Sequence, residues 1–169
     1  NHTPTVSDTA KGPGAADVTR DPHVAGKEAP LSTCLSGHPR NYLQSLERGL
    51  AHVRRPEGRI RIAIRHHLET LGRDRSLAIV AQVELRHSLK FMSLLSQQEV
   101  ADYLNMLRKM IEHGQSDGSF RRTIHPQLGA KAVFGILDEM VTSWILSEKE
   151  YDLAASADQI ADLVLTGLL

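Results

Sequence analysis

From Tyr42 to the last residues, apolar side chains recur at steps of three and four, the spacing that gathers them on one face of a helix. Nowhere in that span do they alternate long enough to suggest a strand. Tyr42, Leu46, Leu50 and Val53 predict a first helix that stops before Pro56, because a proline disfavours helical backbone in the residue ahead of it. Pro56 itself suits a first helical turn, and the second helix it opens carries Ile60, Ile64, Leu68 and Leu71 as a stripe closed by Gly72. After the turn "GRDRS" a third helix starts near Ser76 and runs through "QVELRHSLKF" into "LKFMSLL".

Ser96 and Glu99 form a capping box for a fourth helix. Its stripe is Val100, Leu104, Leu107 and Ile111, flanked by Tyr103, Met106 and Met110, with Asp102, Asn105, Arg108, Lys109 and Glu112 facing solvent. Gly114 and Gly118 mark its end, and Pro126 is a second proline placed at a helix start. The fifth helix, "QLGAKAVFGILDEMVTSWILS", has an apolar arc wider than a surface helix needs, which implies two packing partners. A sixth, after "EKEYD", sets Ala157, Ile160, Leu163, Val164 and Leu168 against Asp158, Gln159 and Asp162. The expected fold class is all-α, with about six helices. Periodicity leaves two roles open for the last two: they complete the core against a second copy, as a four-helix interface, or they cover helices three and four of one chain.

Residues 1–40 read differently. They hold five of the seven prolines, four glycines and hardly a large apolar residue, too little to offset the entropy of ordering. They are expected to be a disordered tail, with the folded domain spanning 41–169. The chain also begins with Asn1, which suggests a fragment or a shifted reading frame.

Charge balances at 20 basic and 20 acidic residues, so only its distribution informs. Residues 47–75 carry eight Arg against four acids, whereas 131–169 carry two Lys against seven, so the basic part is the one that can face an anion. One cysteine, Cys34, excludes an internal disulfide framework, and the absence of a secretion signal or spanning segment makes the cytoplasm the expected compartment.

Enzyme chemistry finds no footing. His66 and His67 are adjacent and point to different helix faces, as do Asp138 and Glu139, and neither a phosphate loop nor a nucleophile elbow occurs. No catalytic residue, metal or cofactor is expected. Two polar features remain. His67 falls on the apolar stripe of the second helix, as a core histidine bonded to a carbonyl or as a polar group reaching into a ligand cavity. In the third helix Ile79, Val80, Val83, Leu85, Leu89 and Phe91 surround the axis, yet Gln82, Glu84 and Arg86 lie among them. Buried charge without a partner costs several kcal/mol, so Arg86 requires Glu84 or another acid, an exposed rim, or an anionic ligand.

Two segments, "HLETLGRDRSLAIVAQVELRHS" and "AKAVFGILDEMVTSWILSEKEYDL", resemble the C-terminal ligand-binding and dimerisation domain of TetR-type transcriptional regulators, in the branch of acyl-CoA-responsive repressors of fatty-acid degradation. The resemblance implies a homodimer whose four-helix interface takes Val133, Ile136, Leu137, Met140 and Trp144 from the fifth helix and Ile160, Leu163 and Val164 from the sixth. It also implies a ligand tunnel for a long-chain acyl-CoA or a similar amphipathic ligand. Leu85, Leu89, Tyr103, Leu107 and Phe134 would line it, His67, Gln82, Glu84 and Arg86 would supply its polar groups, and the Arg-rich stretch would serve the phosphorylated head. A ligand that rearranges this network would tilt the third helix and change the spacing of paired DNA readers.

The family's helix-turn-helix ends in an "IYLYF"-like stretch, and residues 1–40 do not contain it, so DNA binding is assigned to no residue of this chain. Read in another frame, the codons behind "LSTCLS" can give Leu-Tyr-Leu-Ser-Phe, which resembles that ending. The alternative reading is a helical dimerisation or interaction module with a filled core, no small-molecule ligand and no DNA binding.

Overall fold

The structure, a computed structural model, describes residues 38–82 and 94–169, with side chains over 41–82 and 100–169. Among them are helices and one 3-10 turn, and no strand, as the periodicity predicts.

Helix α1 (His38–Leu50) ends three residues before the expected Val53. The chain turns there, with Val53 N donating to Leu50 O at 3.1 Å, and Arg59 Nη1 donates to Leu50 O at 3.1 Å and Val53 O at 3.0 Å. A guanidinium nine residues on thus satisfies the carbonyls a longer helix would have used.

Helix α2 (Pro56–Gly72) begins and ends where its proline and glycine predict, burying Ile60, Ala63, Ile64, His67 and Leu68. Helix α3, described over 75–82, opens after Asp74, whose Oδ1 accepts from Leu77 N at 3.0 Å. The rest of the stretch expected as helix three lies outside the described residues, Val83, Glu84, Leu85, Arg86, Leu89 and Phe91 included.

Helix α4 (Leu94–Ser116) corrects two expectations. It starts at Leu94, so Ser96 sits inside the helix rather than at its cap. Gly114 is also internal: a Cβ there would lie 2.2 Å from Cδ2 of Phe120, so the glycine makes room for a ring and does not stop the helix. The return to α5 is made by Gly118, at φ 83°. Within α4 the buried face is Tyr103, Leu107, Met110 and Ile111, while Val100 and Leu104 of the expected stripe are half-buried. The face is turned because α4 packs on α5 as well as on α2.

Helix α5 (Pro126–Leu146) is preceded by His125, whose ring accepts from Gln127 N at 3.3 Å. A 3-10 turn (Leu153–Ser156) then leads into α6 (Ala157–Leu168). Helix α2 is the organising element, in contact with α1, α4, α5, the 3-10 turn and α6. Ile60, Ile64 and Leu68 from it, with Leu107, Leu137, Val141 and Leu153, are fully buried. Each such side chain contributes about 1.5–3 kcal/mol through removal from water.

Candidate functional site

Four helices send aromatic groups to one place in this core. Tyr42 comes from α1, His66 and His67 from α2, Tyr103 from α4 and Phe134 from α5. The Tyr42 hydroxyl and His67 Nδ1 share a hydrogen bond of 2.9 Å. Ring centroids lie 5.7 Å apart for His67 and Tyr103, 6.0 Å for Tyr103 and Phe134, and 6.5 Å for His67 and Phe134. The edge-to-face arrangement of most of these pairs is the one aromatic quadrupoles favour.

Protonation follows from burial. Desolvation, with the neighbouring His66 adding to it, lowers the pKa of His67 to about 4. Desolvation likewise lowers that of His66 and raises those of Tyr42 and Tyr103. The cluster is therefore neutral at pH 7. Ser45 Oγ lies 2.9 Å from Tyr42 O and shares a hydrogen bond of 2.6 Å with His66 Nε2. His66 Nδ1 is buried without a hydrogen-bond partner among the described residues, and the buried Tyr103 hydroxyl has that of Tyr42 as its polar neighbour.

The other expected ligand residues divide. Gln82 is buried, and its Oε1 accepts from Thr142 Oγ1 at 3.3 Å, tying α3 to α5. Leu107 is fully buried in the core beside the cluster. Glu84, Arg86 and Leu89 lie outside the described residues. Sequence reasoning missed Tyr42 and His66. It counted Tyr42 as an apolar stripe residue, although a buried tyrosine needs a partner for its hydroxyl just as a buried histidine does.

Five of the eight residues expected at a dimer interface, Val133, Leu137, Trp144, Ile160 and Val164, are buried within the chain's own core. Ile136 and Met140 are half-buried, and Leu163 is 66% exposed. Trp144 is held from two sides, its Nε1 donating to Tyr151 O at 2.9 Å and its ring lying 5.5 Å from the Arg75 guanidinium. Arg75 Nη2 also donates to Ile145 O at 3.0 Å and Ser147 O at 2.8 Å, closing the end of α5.

Among the described residues no cluster of His, Cys, Asp or Glu is arranged to hold a metal, and no helix is long and apolar enough to cross a membrane. The described residues thus form a helical domain with a neutral aromatic cluster packed in its core. Residues 39–167 match the family model described as YsiA-like protein, C-terminal region, one of the TetR C-terminal domains, and the chain belongs to that family. Over 167 residues, 99% of this chain and 86% of the relative, it is 28% identical to the fatty acid metabolism regulator protein of Bacillus subtilis (strain 168). The solved fatty acid degradation regulator FadR from Bacillus halodurans superposes with a TM-score of 0.72 at 27% identity, covering 82% of this chain and 75% of that one. FadR from Bacillus subtilis, solved in complex with stearoyl-CoA, superposes at 0.68 with 24% identity and the same coverage, which speaks for the fold. These relatives are transcriptional regulators of fatty-acid metabolism, not enzymes.

Proposed function

We propose that this chain is the effector-sensing and dimerising part of a cytoplasmic, non-enzymatic regulator of fatty-acid metabolism, a repressor released by long-chain acyl-CoA. The observation that carries the reading is the convergence of Tyr42, His67, Tyr103 and Phe134 from four helices on one neutral, largely apolar spot. An acyl chain needs such a lining, and a few polar atoms within it fix orientation. The likeness to a FadR solved with stearoyl-CoA supports the same ligand class. Gln82 would sit in the wall of the site, with Glu84, Arg86 and Leu89 as its further members and Leu107 behind it.

A homodimer through α5 and α6 belongs to the same proposal. It is supported by Leu163, Leu146 and Leu128, which are 66%, 75% and 63% exposed, and by half-buried Ile136 and Met140 between them. Isolated apolar residues are ordinary on a surface, but several on two successive helices mark a contact face. DNA contact is assigned to none of the described residues.

Thermal melts with stearoyl-CoA, free CoA and stearate test the ligand. Binding at 100 times Kd adds about 2.7 kcal/mol of stability, so stearoyl-CoA is expected to raise Tm by several degrees and CoA much less. Equal shifts with all compounds, or none, would favour the interaction module without a ligand.

A further inference from the structure

One glycine in the middle of a helix has no reason inside this chain. Gly135 lies halfway along α5 at an exposed position, and a Cβ there would meet nothing within 4 Å, whereas Cβ atoms at Gly114 and Gly129 would strike Phe120 and Ile111. Glycine inside a helix costs about 0.8–1 kcal/mol against alanine, and nothing in the fold of the single chain offsets that. A close neighbour from outside the chain would.

The surface around Gly135 suits such a neighbour. Leu128, Ala132, Gly135, Glu139, Ser143 and Leu146 recur at steps of four and three and are all exposed, so they form one open face of the helix. Lys131 precedes Gly135 by four residues and Glu139 follows it by four, which sets the two charges about 6 Å to either side of the glycine along the axis. Lys131 makes no hydrogen bond or ion pair with any described residue, and Glu139 accepts from Ser143 Oγ at 2.8 Å but pairs with no cation among them. This face is its own complement. Two copies running the same way would set lysine on lysine and glutamate on glutamate. Two copies running oppositely and crossing at the glycine set each lysine on the other's glutamate, twice over.

We propose that α5 meets a second copy of itself in an antiparallel crossing centred on Gly135, with Lys131 of each copy paired with Glu139 of the other. The inference rests on the homodimer reading above and adds what that reading leaves open: the direction and register of the contact, and the charges that choose the partner. The missing Cβ lets the two backbones approach to the short end of the roughly 8–10 Å usual between packed helices. Leu128 and Leu146, 63% and 75% exposed, lie outside the charges, where the opposite copy shields them from water.

Sedimentation of the whole chain and of two variants, Lys131→Glu and Glu139→Lys, alone and mixed, tests the register. Both side chains are exposed, so circular dichroism should show either variant as helical as the parent. Each variant alone sets like charges opposite one another at both contacts, and its dimer Kd should rise about tenfold. The equimolar mixture should form a heterodimer within about threefold of the parent's Kd, because each variant supplies the charge that the other lacks, and added salt should erase the preference. Gly135→Leu, which fills the crossing point, should weaken the dimer more than either charge change. Variants that dimerise as the parent does, or a mixture that recovers nothing, overturn the proposal while leaving the dimer itself standing. A parent that stays monomeric ends the dimer reading and this register with it.

Discussion

Tyr42 and His67 meet at 2.9 Å between hydroxyl and Nδ1, and this bond fastens α1 to the helix around which the core is built. Tyr103, from α4, lies against both rings, and its hydroxyl has that of Tyr42 as its polar neighbour, in poorer geometry than the bond from Tyr42 to His67. The two tyrosines are therefore unequally engaged. Tyr42→Phe leaves a buried imidazole nitrogen unpaired and should cost about 1–3 kcal/mol. Tyr103→Phe removes only the weaker contact with the Tyr42 hydroxyl, and should cost less than Tyr42→Phe. Chemical denaturation of the two variants distinguishes them, and equal losses would contradict this account of the cluster.

Acid should weaken the fold through His67. Its pKa is about 4 when folded and 6.5 ordinarily, so between those values the unfolded chain takes up a proton that the folded chain refuses. The contribution is fully present above pH 6.5 and is lost as pH falls toward 4, by at most about 3 kcal/mol. His66 shifts in the same direction. Denaturation at pH 7, 5.5 and 4.5 should show the decline, and His67→Phe should flatten it. A slope unchanged in that variant would assign the decline to other groups.

Gly114→Ala should be far more costly than helix propensity suggests. Alanine normally strengthens a helix, but here its Cβ would fall 2.2 Å from the ring of Phe120, a buried side chain that must then move. Overpacking of this kind costs about 1–3 kcal/mol. Gly135→Ala, where a Cβ meets nothing within 4 Å, is the matched control on an exposed helical site and should be neutral or stabilising in the monomer.

Leu163→Glu tests the proposed dimer. The side chain is 66% exposed, so the charge costs a lone chain little, whereas in an interface it would be buried without a partner. Sedimentation should find the parent dimeric and the variant shifted to monomer at the same concentration. An unshifted dimer would move the interface elsewhere.

Much of the helix pattern was legible because prolines and glycines act locally. Pro56 and Pro126 open α2 and α5 as read, since a fixed φ commits the first turn whatever follows. What failed depended on distant residues. The end of α1 is set by Arg59, and Gly114 is there for Phe120, which no local signal reveals. Ser96 and Glu99 have the spacing of a cap, but the same spacing fits the interior of a helix that begins at Leu94. His67 was picked out as a polar group on an apolar stripe. That its partner is Tyr42, 25 residues earlier, depends on how two helices cross, and periodicity says nothing of that. The width of the apolar arc of α5 was legible too, but not which part of it the chain covers itself. Val133, Leu137 and Trp144 face inward, and Ile136 and Met140 keep accessible area.

Arg75 settles where the domain cannot bend. It stands at the first turn of α3, grips the last carbonyls of α5 and stacks on Trp144, which is itself tied to Tyr151 on the way to α6. Three chain segments therefore form one braced corner, and a twist of 75–82 drags the end of α5 and the approach to α6 along with it. Any hinge that answers a ligand lies away from this corner, on the side where α1 is held to α2 by Tyr42 on His67, Ser45 on His66 and Arg59 on the Leu50 carbonyl.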